Sequence, residues 1–400
     1  MRVETLTLKI LSLMQNIGKS QAKFLVHFFT LLIAFRGRAN FENLARQGKY
    51  NESTYRNNFD KDFDFLNFNR LLVEQYCSEE VAIAFDPSFI SKSGKFTPGL
   101  GYFWSGGAGR TQKGLEIGGF GAIDIVNNTC MHLIAKQTLD HKKYDSLIEY
   151  YVETVRSMSQ GLQQVSKILV VDAYFSKSTF VEPVCQLGFE VVSRFRDDAV
   201  LFYAYLGPQK KGRGRPRKYQ GRVDVRQPDE NHFCLIIEEF DWKAYEGIVY
   251  SKSLKRWVKV VLVHHFKANG ELKCVKIYFS TNLDREGSDV LLFYKTRFQI
   301  EFLYRDAKQF TGLMQCQSRK EKRLDFHFNA SLTAVSLAKA AHYLSTPIEQ
   351  RKPFSMFSIK AQYFNELLLS RFFNVFGIDP NNEKINLKYL SLRNFGKIAA

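Results

Sequence analysis

The chain has 400 residues, 45% hydrophobic and 24% charged, a globular composition with enough length for two or three domains. Lys and Arg number 57 against 40 Asp and Glu, a net charge of +17 that favours a polyanion such as nucleic acid, because each neutralised phosphate releases counterions. A membrane span is excluded: the longest apolar run, 24–35, is about 12 residues with His27 and Thr30 inside it, against the roughly 20 needed.

The six cysteines stand at least 40 residues apart without a CxxC pair, and the eight histidines form no ligand-like cluster. That pattern argues against structural zinc and for a reducing compartment. With no cleavable signal sequence at the N-terminus, the expected location is the cytoplasm.

Residues 1–75 read as a helical domain. A short apolar-rich helix covers 6–14, and Ser20 is placed to cap a second one through Phe24, Leu25, Phe28, Leu31, Leu32 and Phe35. Asn40 caps a short helix, Gly48 breaks it, and Asn51 caps another. This helix–turn–helix rhythm sets Lys49, Ser53, Thr54, Arg56 and Asn57 near the start of a recognition helix, although any compact helical domain has such turns.

From Val81 the pattern turns to strand. VAIAFDPSF is a buried run ending at Asp86–Pro87, where a carboxylate is costly unless paired or metal-bound. An Asp-Pro turn is the plainer reading. The glycine-rich segment 99–121 contains neither GxxxxGK nor GxGxxG, so no nucleotide cofactor is expected. Residues 118–139 form a hairpin turning at Asn127–Asn128. A helix over 144–164 leads to ILVV and Asp172, where Ser176 would cap the next helix before the strand FEVVSRFR. Strand–helix–strand implies parallel pairing, and ligands of such sheets sit beyond the strands' carboxyl ends, where Asp172 is. A turn-closing Asp fits there too.

Residues 200–283 read as a β-rich insertion. It opens with PQKKGRGRPRKYQGR, carrying Lys210, Lys211, Arg213, Arg215, Arg217, Lys218 and Arg222 and no acid. Its GRGRP resembles the AT-hook core that enters the minor groove; a solvated basic loop is the alternative.

Residues 284–312 carry no proline and form a helix ending at Gly312. At 3.6 residues per turn Tyr294, Arg297, Glu301, Arg305 and Lys308 share a stripe about 80° wide, opposite Leu292, Leu303 and Phe310. A solvated face laced by i,i+4 ion pairs is one reading. The other rests on spacing: Tyr-x2-Arg-x3-Glu-x6-Lys resembles the YREK signature of a large family of bacterial insertion-sequence transposases of the DDE type.

That resemblance implies an α/β fold with an RNase H-like mixed sheet flanked by helices, in which Asp86, Asp172 and Glu301 are the metal-binding catalytic carboxylates. Two Mg²⁺ ions, with Mn²⁺ able to substitute, would activate the attacking water and stabilise the leaving oxygen during phosphodiester cleavage. Magnesium prefers a few carboxylates, water and substrate phosphate, so histidine and cysteine ligands are not needed. Tyr294, Arg297 and Lys308 would bind the transposon end; Arg305, Arg194 and Arg196 are weaker candidates. The insertion of some members holds an aromatic residue that stacks on a flipped base, yet Trp242 and Trp257 match no motif and core packing suits both. The implied partners are double-stranded DNA and a second copy in a synaptic homodimer near the nucleoid.

The expected organisation is a DNA-binding domain (1–75), a catalytic core in two parts (76–199 and 284–345), the insertion (200–283), and a helical C-terminal region (346–400) suited to packing or dimerisation. A nuclease without strand transfer and a non-catalytic DNA-binding protein are the competing functions.

Overall fold

The structure, a computed structural model, describes residues 2–209, 216–379 and 383–398. Five helices come first: α1 (Val3–Leu13), α2 (Lys19–Ala34), α3 (Phe41–Gln47), α4 (Glu52–Phe59) and α5 (Phe65–Tyr76). Asn40 and Asn51 cap α3 and α4, each side-chain oxygen accepting from the N–H three residues on. Ser20 does not cap α2, which begins one residue earlier behind the extended backbone of Gly18.

Then follow β1 (Val81–Ser91), β2 (Gly101–Ser105), β3 (Arg110–Asp124), β4 (Thr129–Gln137), α6 (Leu147–Gln163), β5 (Ile168–Val170), α7 (Ser178–Gln186) and β6 (Glu190–Arg194). Ser176 does not cap α7 either; its hydroxyl donates backwards to the Ala173 carbonyl, and Lys177 precedes the helix. The insertion contains β7 (Leu201–Ala204), β8 (Tyr219–Arg222), β9 (Phe233–Glu238), β10 (Trp242–Ser251), β11 (Arg256–Phe266) and β12 (Leu272–Ser280). Last come α8 (Gly287–Arg297), α9 (Gln299–Phe310), α10 (Glu321–Lys339), α11 (Met356–Phe376) and α12 (Glu383–Arg393). Among the described residues no helix is long and apolar enough to cross a membrane.

The chain divides into two compact units. One holds Glu80–Asp86 and His141–Phe298. In it the first half of β1 pairs in parallel with β5, and β5 with β6. The insertion is not a separate sheet: β12 adds antiparallel to the free edge of β6, and β11, β10, β7 and β8 continue the order, with β9 also on β10. Arg285 grips Glu190 of β6 through two bonds of 3.0 and 2.7 Å, which fixes where the chain enters α8.

The other unit holds Met1–Glu79, Pro87–Asp140 and Gln299–Ala400. Here β3 pairs antiparallel with β2 along its start and with β4 along its remainder. The expected hairpin turn is present, with Asn128 at φ 45°, and the buried Asp124 carboxylate closes it by accepting from Asn127 and Ser78. The fold is a mixed α/β arrangement with a mixed sheet flanked by helices, and helical N- and C-terminal parts.

The outer strand β4 would leave buried backbone groups without partners, a cost that α10 removes. Asn329 accepts from Ala135 N–H at 2.8 Å and donates to Ala135 C=O at 3.0 Å; Ser336 accepts from His132 N–H, and Lys339 donates to Cys130 C=O. Asn69 of α5 donates to Leu133 C=O between them. Asn329→Ala strands both backbone groups of Ala135 and is expected to cost about 2–4 kcal/mol, read as a lower urea midpoint at unchanged slope.

Candidate active site

Asp86 lies within β1, not at its end. Proline biases the residue before it toward extended backbone, so Asp86–Pro87 continues the strand where a turn was one reading. Ala84 is the register partner of Val170, so Asp86 and Asp172, each two residues further along, stand on one level of neighbouring parallel strands. One Asp172 carboxylate oxygen accepts from Tyr174 N–H at 2.9 Å, and its backbone carbonyl accepts from the Ser193 hydroxyl at 2.9 Å.

Helix α8 brings a cation and a phenol to this pair. Arg297 is buried, with Nη1 3.8 Å from Asp86 Oδ1 and the guanidinium 5.5 Å over the Tyr294 ring. Tyr294 packs on Tyr278 of β12 with ring centroids 5.0 Å apart. Burial lifts the Tyr294 hydroxyl above the ordinary tyrosine pKa; Arg297 and Arg194 pull it down, and the Asp172 charge raises it again. It therefore stays protonated at neutral pH and can donate. Arg194 acts electrostatically on both tyrosines, whereas Arg196 is 81% exposed and turned toward Asp198. Tyr278 and Ser193 escaped sequence reading because neither belongs to a spaced motif.

The expected single helix over 284–312 is two helices. Phe298 (φ −58°, ψ −18°) stays in the right-handed helical region but caps α8 after Arg297, and α9 begins at Gln299. Leu292, expected on the buried side, is 43% exposed, while Leu303, Ile300 and Ala307 are buried.

Glu301 occupies the first turn of α9 and is half-buried. Two turns on, Lys308 donates to the Ser88 hydroxyl at 2.9 Å. Arg305 points outward: it binds Asp306 at 3.0 Å and lies over the Phe302 ring. Gly119 of β3 seats α9, since a Cβ there would overlap the Tyr304 hydroxyl, whereas one at Gly121 would clash with Cys130 of β4. Gly312, at φ +77°, follows the end of α9 as expected. The half-buried Lys360 donates from its ammonium to the Phe310 and Leu32 carbonyls, in the last turns of α9 and α2.

Of the basic segment, Lys210, Lys211, Arg213 and Arg215 lie outside the described residues. Arg217 and Lys218 are exposed, and the Arg217 guanidinium lies 4.8 Å over Tyr205. Trp242 and Trp257 are half-buried; Trp257 packs on Tyr250 and Tyr219. Basic residues at the start of α10 are occupied by acids: Arg323 and Lys320 bind Asp60, and Lys322 binds Asp62.

Residues 79–337, well over half of the chain, match the Transposase DDE domain family. The chain belongs to that family. It is an enzyme of the DDE transposase type. A solved structure similar to this DDE transposase is piggyBac transposase in a cryo-EM synaptic complex with hairpin DNA, with TM-score 0.42, 12% identity, and coverage of 98% of this chain and 81% of that one. No curated protein sequence matches the chain.

DDE transposases use divalent metal ions. The Asp86–Asp172 pair is a hard-oxygen donor set that fits such an ion, one whose shell is completed by water and substrate phosphate. Among the described residues no group of three His, Cys, Asp or Glu is gathered to hold a metal.

Burial lowers the Lys360 pKa to about 8 from an ordinary 10.5. The unfolded chain therefore holds more protons between these values, and this group adds stability as pH rises from about 8 to 10.5. The urea midpoint of wild type is expected to rise over that window relative to its value at pH 7, and Lys360→Met is expected to flatten the rise.

Proposed function

We propose that this DDE transposase cuts DNA at the ends of a bacterial insertion sequence and joins the freed 3′-hydroxyl to target DNA, in the branch that carries the Tyr-Arg-Glu-Lys signature. The observation that carries the reading is Asp86 on β1 and Asp172 just past the end of the parallel strand β5, with the buried Arg297 beside Asp86 and the protonated Tyr294 of the signature next to Arg297. Asp86, Asp172 and Glu301 are the metal-binding carboxylates; when bound, two Mg²⁺ ions, or Mn²⁺ in their place, activate the attacking oxygen and stabilise the leaving one.

The chain's own groups have separate work. Tyr294 donates to a phosphate or sugar oxygen, Arg297 and Lys308 hold the backbone beside the cut, and Arg305 meets DNA further out. The exposed Ser53, Arg56 and Asn57 on α4 and the basic segment from Lys210 to Lys218 extend the contact. A homodimer would cover the apolar face of α11, where Phe372, Val375 and Phe376 are 49%, 78% and 64% exposed.

The test uses a plasmid carrying the DNA that flanks the gene. Wild type with Mg²⁺ is expected to give nicked and then joined products, and chelation to abolish both. Glu301→Gln, Asp86→Asn and Asp172→Asn are each expected to slow nicking at least about 100-fold with DNA binding retained. Unchanged cleavage by Glu301→Gln sinks the catalytic assignment, and nicks that are never joined identify a nuclease. Tyr294→Phe loses one hydrogen bond to DNA and is expected to slow nicking about tenfold at unchanged urea midpoint.

A further inference from the structure

Between Asp86 and Glu116 the chain carries Lys92, Lys95, Arg110 and Lys113 and no acid. The centre of this stretch is the ribbon of β2 and the start of β3, with Tyr102 opposite Lys113 and Trp104 opposite Thr111. Alternation along β2 turns Phe103 and Ser105 inward, at 4% and 8% exposure. It turns Tyr102 and Trp104 outward, at 75% and 62%. Thr111 and Lys113 are exposed beside them. At the ribbon's tip a Cβ added to Gly106, Gly107 or Gly109 would meet nothing within 4 Å. The ribbon is the end of its sheet, since β2 pairs only with β3.

Two large aromatic side chains side by side in water mark a contact surface. Lys113 and Arg110 beside them select an anionic partner and disfavour a second copy of this chain, whose own charge is +17. Residues two apart on a strand are separated by about 6.7 Å, twice the roughly 3.4 Å spacing of stacked bases, so a base can enter between the two rings. A two-stranded ribbon also has the dimensions of an element that enters the major groove.

We infer that the β2–β3 ribbon is a DNA-contacting element in which Tyr102 and Trp104 stack on an unpaired or distorted base while Lys113 and Arg110 meet the flanking phosphates. This rests on the DNA reading proposed above and adds to it a site for base recognition by stacking.

The experiment uses the full chain and a fluorescein-labelled, mixed-sequence oligonucleotide, as a single strand and as its blunt duplex, followed by anisotropy across a salt series. Tyr102→Ala/Trp104→Ala is expected to weaken single-strand binding roughly 10–100-fold, with the urea midpoint unchanged because both rings are exposed. Trp104→Phe in an otherwise wild-type chain keeps most of the affinity. Lys113→Ala lowers the salt slope by about one charge. Single-strand affinity within about twofold of wild type for the double variant overturns the inference, as does an effect on sedimentation without one on DNA binding. Scoring cleavage separately distinguishes the two failures. Wild type that cuts DNA beside a double variant that binds normally removes only the ribbon's role. A double variant that loses binding beside wild type that never cuts removes only the catalysis.

Discussion

The parallel pairing of β1 with β5 is the constraint on which the site depends. It carries two carboxylates, each two residues past the register pair Ala84–Val170, to the same end of adjacent parallel segments, where like charges repel. A slip of one residue would turn one carboxylate to the other face of the sheet and remove the conflict. The fold keeps the conflict and sets a buried Arg297 beside Asp86 and a backbone N–H on Asp172. Acidic pairs held this way serve a divalent cation better than they serve stability.

Beside the pair, tyrosines set the character of the site. Tyr294 and Tyr278 pack together between Arg297 and Arg194, and burial keeps the Tyr294 proton in place. These groups offer hydrogen-bond donors and positive charge to an incoming phosphate. The antiparallel insertion contributes to this directly, because Tyr278 sits on β12, the strand laid against β6.

In the other unit, polar side chains buried on α10 and α5 complete the backbone of β4, and Gly119 of β3 admits Tyr304 of α9. Lys360, donating to the ends of α9 and α2, fixes the helix that carries Glu301 and Lys308.

Much of this was legible in the residues themselves. Local rules suffice where the cause is local: asparagine caps at Asn40 and Asn51, the stop at Gly312, the turn at Asn127–Asn128, and the short apolar runs that become β1, β5 and β6. The order Asp86, Asp172, Glu301 with the Tyr294–Arg297–Lys308 spacing pointed to a DDE-type transposase, and residues 79–337 match the Transposase DDE domain family. Ser20 and Ser176 misled because a capping residue type does not choose the helix start when neighbouring backbone supplies one. Periodicity missed the break at Phe298, since a wheel assumes one continuous axis and cannot register that Arg297 and Gln299 pack into different compact units. Sequence alone determined which chemistry was present: acids after apolar strands and a basic, tyrosine-bearing helix. Tertiary structure alone decided which groups stand side by side, because parallel register, burial and the partners of Arg297, Tyr294 and Lys308 arise from contacts between segments far apart along the chain.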